Sequence, residues 1–255
     1  MGTRKGLFVW AAPYGVLAAV AFTLLTPLAQ AAPVVFTGSN GTLRASATFT
    51  QIGTNLQVTL ANTSTNDVLG PPDVLTAVFF TLAGDPTLNR VSAVIAAGST
   101  VLFGGTDPGG VVGGEWAYVN RLSGSPLGAN EGISSSGLNL FGPSNRFPGS
   151  NLQGPASPDG LQYGITSAGD NSATGNGAVT GGNALIKNAV VFTLSGLPAN
   201  YMLTPSSISQ VSFQYGTATS EPNVVGTNPD LIPEPSAWAL VIGALLPLVC
   251  FRRQR

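Results

Sequence analysis

The sequence predicts an all-β fold, an antiparallel β-sandwich or jelly-roll-like single domain with long loops rich in Gly, Pro and Asn. Where the apolar residues are periodic their period is two, as in half-buried strands, and no convincing apolar stripe of period 3.6 is found. The chain has 33 glycines and 19 prolines, which separate apolar runs rich in Val, Thr and Phe. Short apolar runs between frequent turns favour a sandwich or jelly roll.

The first 31 residues have the three parts of a secretory signal peptide. A basic start, an apolar centre and a small-x-small cleavage site follow one another at Arg4 and Lys5, at residues 16–28, and at Ala29, Gln30 and Ala31. The alternative is an uncleaved membrane anchor, but the apolar run is shorter than the roughly 20 residues of a transmembrane helix. We therefore expect export, with residues 32–232 left as a β-rich ectodomain.

Alternation of apolar and polar side chains predicts the strands of this ectodomain. Residues 43–60 alternate on both sides of the segment 52–55 (IGTN), which is typical of a hairpin turn. The denser run at residues 74–82 (VLTAVFFTL) indicates a central strand. Shorter runs predict further strands at residues 91–96, 100–103, 189–194 and 211–215.

Residues 104–182 differ from the rest of the ectodomain in being dominated by Gly, Ser, Pro and Asn. This composition predicts long loops. Since long loops in a compact domain are either functional or mobile, a binding surface is expected in this region.

The composition excludes several classes of function. The chain has no His, so Ser-His-Asp and Cys-His nucleophilic sites and His-containing metal sites are excluded. Its one cysteine, Cys250, allows neither an internal disulfide nor a CxxC motif. The ectodomain carries five basic and ten acidic residues and has no basic patch, so we predict no nucleic-acid partner. No cofactor is expected.

Five carboxylates of the ectodomain are candidates for the acid pair of a glycosidase: Asp107, Glu115, Glu131, Asp159 and Asp170. Acidic residues scattered in Gly-rich loops are more often solvated turn residues, because they bond their own backbone there. We favour this second interpretation and predict no catalytic residue and no enzymatic activity.

Calcium is the metal that this oxygen-rich sequence would suit best. Residues 170–177 (DNSATGNG), which begin at Asp170, offer alternating oxygen ligands. However, Gly181 stands where a calcium loop of this kind has its bidentate Glu. Turn chemistry explains the segment without a metal, so Asp170 is a weak calcium candidate.

Trp116 and Tyr118 are the weak candidates for ligand binding. Their i, i+2 spacing places both rings on the same side of a strand, where exposed rings could bind polysaccharide. A ring pair at this spacing is more often part of the core.

The C-terminus carries three features in a fixed order. A Pro-Glu-Pro tripeptide, an uncharged apolar run and a basic tail are formed by Pro233, Glu234 and Pro235, by residues 237–251, and by Arg252, Arg253 and Arg255. Arginines resist crossing a bilayer, so the tail is expected in the cytoplasm and the ectodomain outside. The two prolines predict an extended, accessible segment before the apolar transmembrane helix.

This order resembles the PEP-CTERM sorting signal of exported proteins of Gram-negative bacteria, over residues 233–255. Segments between residues 36 and 221, such as NTSTNDVLGPPDVLTAVFF, resemble the ectodomains of PEP-CTERM proteins. The resemblance implies cleavage near the tripeptide by a membrane-embedded exosortase and release to the cell surface or extracellular polymer. It implies no activity and no ligand.

The sequence thus predicts a surface or extracellular-matrix protein with a structural or adhesive role in biofilm or exopolysaccharide. Its expected partners are signal peptidase, exosortase, the inner membrane during transit, and extracellular polysaccharide. The alternative is a polysaccharide-binding module or a glycan hydrolase.

Overall fold

The computed structural model of the 255-residue chain describes Gly2 and residues 31–103, 110–143, 147, 149–154, 160–174, 179 and 184–231. Strands dominate these residues, and the prediction of an all-β fold is confirmed. Within these ranges, no helix has the length and apolarity needed to span a membrane. The transmembrane helix predicted at residues 237–251 lies outside them.

Thirteen strands are found among the described residues. In chain order they are β1 (Val34–Asn40), β2 (Leu43–Ile52), β3 (Asn55–Asn62), β4 (Leu75–Leu82), β5 (Asn89–Ile95), β6 (Thr100–Leu102), β7 (Ala117–Asn120), β8 (Glu131–Ser134), β9 (Ile165–Thr166), β10 (Leu185–Lys187), β11 (Ala189–Ser195), β12 (Ile208–Tyr215) and β13 (Asn223–Val225). Three-residue 3-10 turns lie at Pro71–Asp73, Pro126–Gly128, Pro205–Ser207 and Pro229–Leu231.

The strands form two sheets. The first has five antiparallel strands in the order β1-β2-β3-β11-β5. The second has the order β13-β12-β4-β9-β10-β6, with β8 paired to β4 and β7 paired to β8. All its pairs are antiparallel except that of β9 with β10.

The two sheets share one core. Phe49 of β2 and Phe80 of β4 meet edge to face with ring centroids 5.2 Å apart, and Trp116 lies 4.9 Å from Phe192 of β11. All four rings are fully buried. An edge-to-face contact such as that of Phe49 with Phe80 stabilises the pair of rings by about 1 kcal/mol beyond the burial of their area.

A second, smaller core covers the outer face of the eight-stranded sheet. Phe79 points away from Phe80 because side chains alternate along a strand. Its ring packs against Phe141, which in turn contacts Phe147. Strand β4 is therefore buried on both faces, which explains its dense apolar sequence.

Several sheet edges are covered by other segments of the chain. Thr37 of β1 exchanges two backbone hydrogen bonds with Thr227, and Val112 donates to Ala93 of β5. Residues 150–152 bond along β7 in the same way. Because uncovered strand edges promote association with other chains, these contacts favour a discrete domain.

Strand prediction succeeded where apolar residues alternate. The hairpin turn lies between Ile52 and Asn55, and strands occur at the predicted runs. The prediction of long loops in residues 104–182 agrees with most of the described residues there, but it missed the strands β7, β8 and β9. Strand β8 (EGIS) was not predicted, because an acidic residue and a glycine are untypical of a buried strand, although all four of its residues are buried. A Cβ at Gly132 would lie 2.7 Å from side-chain carbons of Leu122 and Phe141, so close packing requires this glycine.

Gln214 of β12 fixes the turn that follows this strand. Its side chain is fully buried, and its Nε2 atom lies 2.9 to 3.3 Å from four backbone carbonyl oxygens. These oxygens belong to Tyr215, Ala218, Glu221 and Pro222. The Oε1 atom accepts a hydrogen bond of 3.1 Å from Asn223. Only an amide presents a donor and an acceptor in this shape.

We predict that Gln214→Glu lowers the free energy of unfolding by about 3 kcal/mol, because it places a carboxylate oxygen against four carbonyl oxygens. Urea unfolding measures the loss. The matched control is Gln57→Glu on β3, whose half-buried side chain lies on the outer face of its sheet. Equal stability of the two variants would contradict this role of the amide.

Candidate functional site

Among the candidate carboxylates that the structure describes, Glu131 is the most deeply buried. Gly132 faces the smaller core, so the alternation of β8 turns Glu131 towards the space between the sheets. The side chain is 0% exposed. The hydroxyl of Tyr118 donates a hydrogen bond to Oε2, whereas Oε1 has no hydrogen-bond partner among the described residues.

The surroundings of this pair change its ionisation. Burial, opposed by the Tyr118 hydrogen bond and reinforced by the charge of Asp85, raises the pKa of Glu131 to about 7. Burial, followed by the charge of Glu131, raises the pKa of Tyr118 far above its usual value. Exposed Asp85 accepts a hydrogen bond of 2.7 Å from Asn130.

A carboxyl with a pKa near 7 has the proton affinity of a general acid or base. Catalysis also requires contact with substrate, and the side chain of Glu131 has no exposed surface. The expectation that Glu131 is a solvated turn residue was therefore wrong. The geometry makes Glu131 and Tyr118 a buried proton-holding pair between the sheets.

We predict that the protein loses stability as the pH rises towards 7. The Glu131 carboxyl keeps its proton to about pH 7 when folded but only to its ordinary 4.5 when unfolded. The resulting stabilisation, about 3 kcal/mol, is complete below pH 4.5 and is lost as the pH rises through 7. Urea unfolding across this range measures the change.

Two variants test whether Glu131 is the source. Glu131→Gln keeps an acceptor for Tyr118 but cannot ionise, so it should flatten the pH dependence. Tyr118→Phe removes a donor that favours the ionised form, so it should move the loss of stability to higher pH. A Glu131→Gln variant with the pH dependence of the unmodified protein would contradict the assignment.

The two aromatic candidates lie in the core. Trp116 is 0% exposed, and its Nε1 donates a hydrogen bond of 3.1 Å to the carbonyl oxygen of Tyr163. Tyr118 is 3% exposed and belongs to the same cluster. The i, i+2 spacing does place both rings on one side, but this side faces the core. Neither ring offers a face on which a sugar could stack.

Asp170, the weak calcium candidate, is held by internal contacts. Its Oδ1 accepts a hydrogen bond of 3.0 Å from the backbone N–H of Val68, and its carbonyl oxygen accepts one of 2.8 Å from the Lys187 ammonium. Burial raises the pKa of Asp170; the Val68 hydrogen bond opposes this, and a hydrogen bond and the charge of Asp67 reinforce it.

Asp67 was not among the residues predicted from the sequence. Its carboxylate accepts hydrogen bonds from the backbone of Asn171, at 2.8 Å, and from the hydroxyl of Thr174. It therefore holds the turn that begins the oxygen-rich segment. Because Asp67 lies about a hundred positions earlier in the chain, no local pattern could reveal the pairing. Across the described residues, no group of three or more acidic, His or Cys side chains could hold a metal.

We predict that millimolar calcium leaves the melting temperature of the protein unchanged. The Lys187 ammonium already supplies a positive charge at the Asp170 carbonyl, and Asp67 is engaged by the turn. Calorimetric melting with calcium, and with magnesium as the control, tests this, because a ligand of the folded state raises the melting temperature. A rise specific to calcium would contradict the prediction.

The remaining sequence candidates are distributed as follows. Glu115 is half-buried, and Ala31 is half-buried against the main core. The others lie outside the described residues: Ala29, Asp107, Asp159, Pro233, Glu234, Pro235, Arg252, Arg253 and Arg255.

Comparisons with protein-family models, with curated proteins and with solved structures found no match for this chain.

Proposed function

We propose that the chain is an exported surface or extracellular-matrix protein of the PEP-CTERM type with a structural or adhesive role. In this proposal, residues 32–232 form one β-sandwich domain, jelly-roll-like in outline. The domain passes through the inner membrane, is held there by residues 237–251, and is cut by an exosortase near Pro233–Pro235. It then remains in biofilm or exopolysaccharide.

The observation that carries the proposal is the engagement of the described candidate side chains within the fold. Trp116 and Tyr118 pack in the core, Glu131 lies between the sheets, and Asp170 supports the backbone of Val68. Side chains that are buried or hydrogen-bonded inside the fold stabilise the domain and are not available to contact a substrate. The covered sheet edges further support a stable, discrete domain, as a structural role requires.

The sequence of the two ends supports the location. A signal-peptide pattern stands at residues 1–31, and the Pro-Glu-Pro, apolar run and arginine tail stand in order at residues 233–255. Both patterns support a location of the domain outside the cytoplasm. The sparse charge of the chain, 8% of its residues, suits a structural role better than electrostatic recruitment of a charged partner.

Cell fractionation tests the location. We expect the domain in the medium or the extracellular polymer of its host, and expect a variant with Ala at Pro233, Glu234 and Pro235 to stay in the inner membrane. The matched control replaces Pro205, a half-buried proline in a turn of the domain, by Ala. Equal release of the tripeptide variant and the control would contradict processing at Pro-Glu-Pro.

One observation favours the alternative of a glycan hydrolase, namely the pKa of about 7 at Glu131. Incubation with a glycan array, followed by analysis of released sugars, separates the two functions. The structural proposal expects no hydrolysis and identical behaviour of the Glu131→Gln variant. Hydrolysis that this substitution abolishes would establish the alternative instead.

A further inference from the structure

Both ends of the domain lie at the same end of the two sheets. Strand β1 begins at Val34, opposite Phe49 near the end of β2, and Ala31 precedes it. Strand β13 runs antiparallel to β12, so the chain after it approaches the start of β12. The last described residues form the 3-10 turn Pro229–Leu231, which contacts the turn Pro205–Ser207 just before β12. We call this end, with the turn after β2, the exit end.

Three large apolar side chains are exposed at the exit end. Ile52 at the hairpin turn is 48% exposed, Met202 is 76% exposed and Leu231 is 50% exposed. Gln51 holds the first two together, because its amide donates to the carbonyl oxygen of Tyr201 at 2.8 Å and accepts from the backbone N–H of Leu203 at 2.9 Å.

The turn Pro205–Ser207 connects Met202 to the point where the chain leaves the domain. The hydroxyl of Ser207 donates to the carbonyl oxygen of Met202 at 3.1 Å, and the same turn contacts Pro229–Leu231. Single exposed apolar residues are ordinary, but three around the exit of the chain form a surface that a partner can cover.

The short distance along the chain from Leu231 to the apolar run indicates which partner covers the exit end. Only residues 232–236 separate Leu231 from the apolar run at 237–251. The six Cα–Cα steps from Leu231 to residue 237 span at most roughly 22 Å when fully extended. If residues 237–251 enter a bilayer, as the proposed function requires, the exit end lies close to the lipid surface.

We propose that the exit end docks on the lipid bilayer through Ile52, Met202 and Leu231 before the chain is cut. This inference rests on the membrane stage of the proposed function and adds the surface that meets the membrane. Exposed apolar side chains beside an anchored segment enter the interface between head groups and acyl chains. Asp230 beside Leu231 is acidic, so the attraction is apolar and requires no anionic lipid.

Lipid quenching of single labels tests the docking in the full chain. The protein has one cysteine, Cys250, which lies in the apolar run, so a fluorescent label there reports insertion. The same label is placed at the exit end by Met202→Cys with Cys250→Ser. Leu69→Cys with Cys250→Ser is the matched control, because Leu69 is 58% exposed but lies at the opposite end, between β3 and β4.

Each protein is reconstituted in phosphatidylcholine vesicles with and without a spin-labelled phosphatidylcholine that quenches fluorescence. We expect the emission of the labels at 250 and 202 to fall about twofold and that of the label at 69 to stay constant. Ile52→Asp should weaken the quenching at 202, whereas Leu69→Asp should leave it unchanged.

The label positions distinguish two failures. Quenching at 250 with none at 202 overturns the docking and leaves the membrane stage of the proposed function standing. Absence of quenching at 250 contradicts that membrane stage and the docking with it.

Discussion

The apolar contact between the two sheets is the interaction on which the rest of the structure depends. It is formed by interdigitated rings such as Phe49 with Phe80 and Trp116 with Phe192. Because side chains alternate along a strand, every strand that joins this contact must place each second residue inside. This requirement places Trp116 and Tyr118 in the core. It also turns Glu131 inward, where a carboxyl is tolerated because it holds its proton and accepts a hydrogen bond from Tyr118.

The sequence correctly predicted the strands in which apolar and polar side chains alternate. The first hairpin and the dense strand β4 were predictable from local patterns. The apolar residues of these strands alternate or follow one another directly in the sequence, and the same residues are buried in the fold. Strand β8 could not be predicted, because one of its faces is buried by Leu122 and Phe141, which pack against Gly132 from outside the strand. The geometry of Trp116 and Tyr118 was predictable, whereas the link from Asp67 to Asn171 depends on a distant pairing of loops.

The arrangement of the ends connects the fold to the proposed function. A chain that is exported, held at a membrane and then cut must present its C-terminal end towards that membrane. Residue 231 and the start of β1 lie at one end of the sheets, and the side chains of Ile52 and Met202 are exposed at this end. The proposed order of events therefore requires no rearrangement of the domain, because exposed apolar side chains already lie at this end.

The central claim is that the cell retains the folded part and removes both flanking segments. The intact mass of the protein isolated from its host tests this claim most directly. The account predicts a chain that begins at Ala32 and ends close to Pro235. A mass that still includes Arg255 would contradict it, as would a mass that still includes residues 1–31.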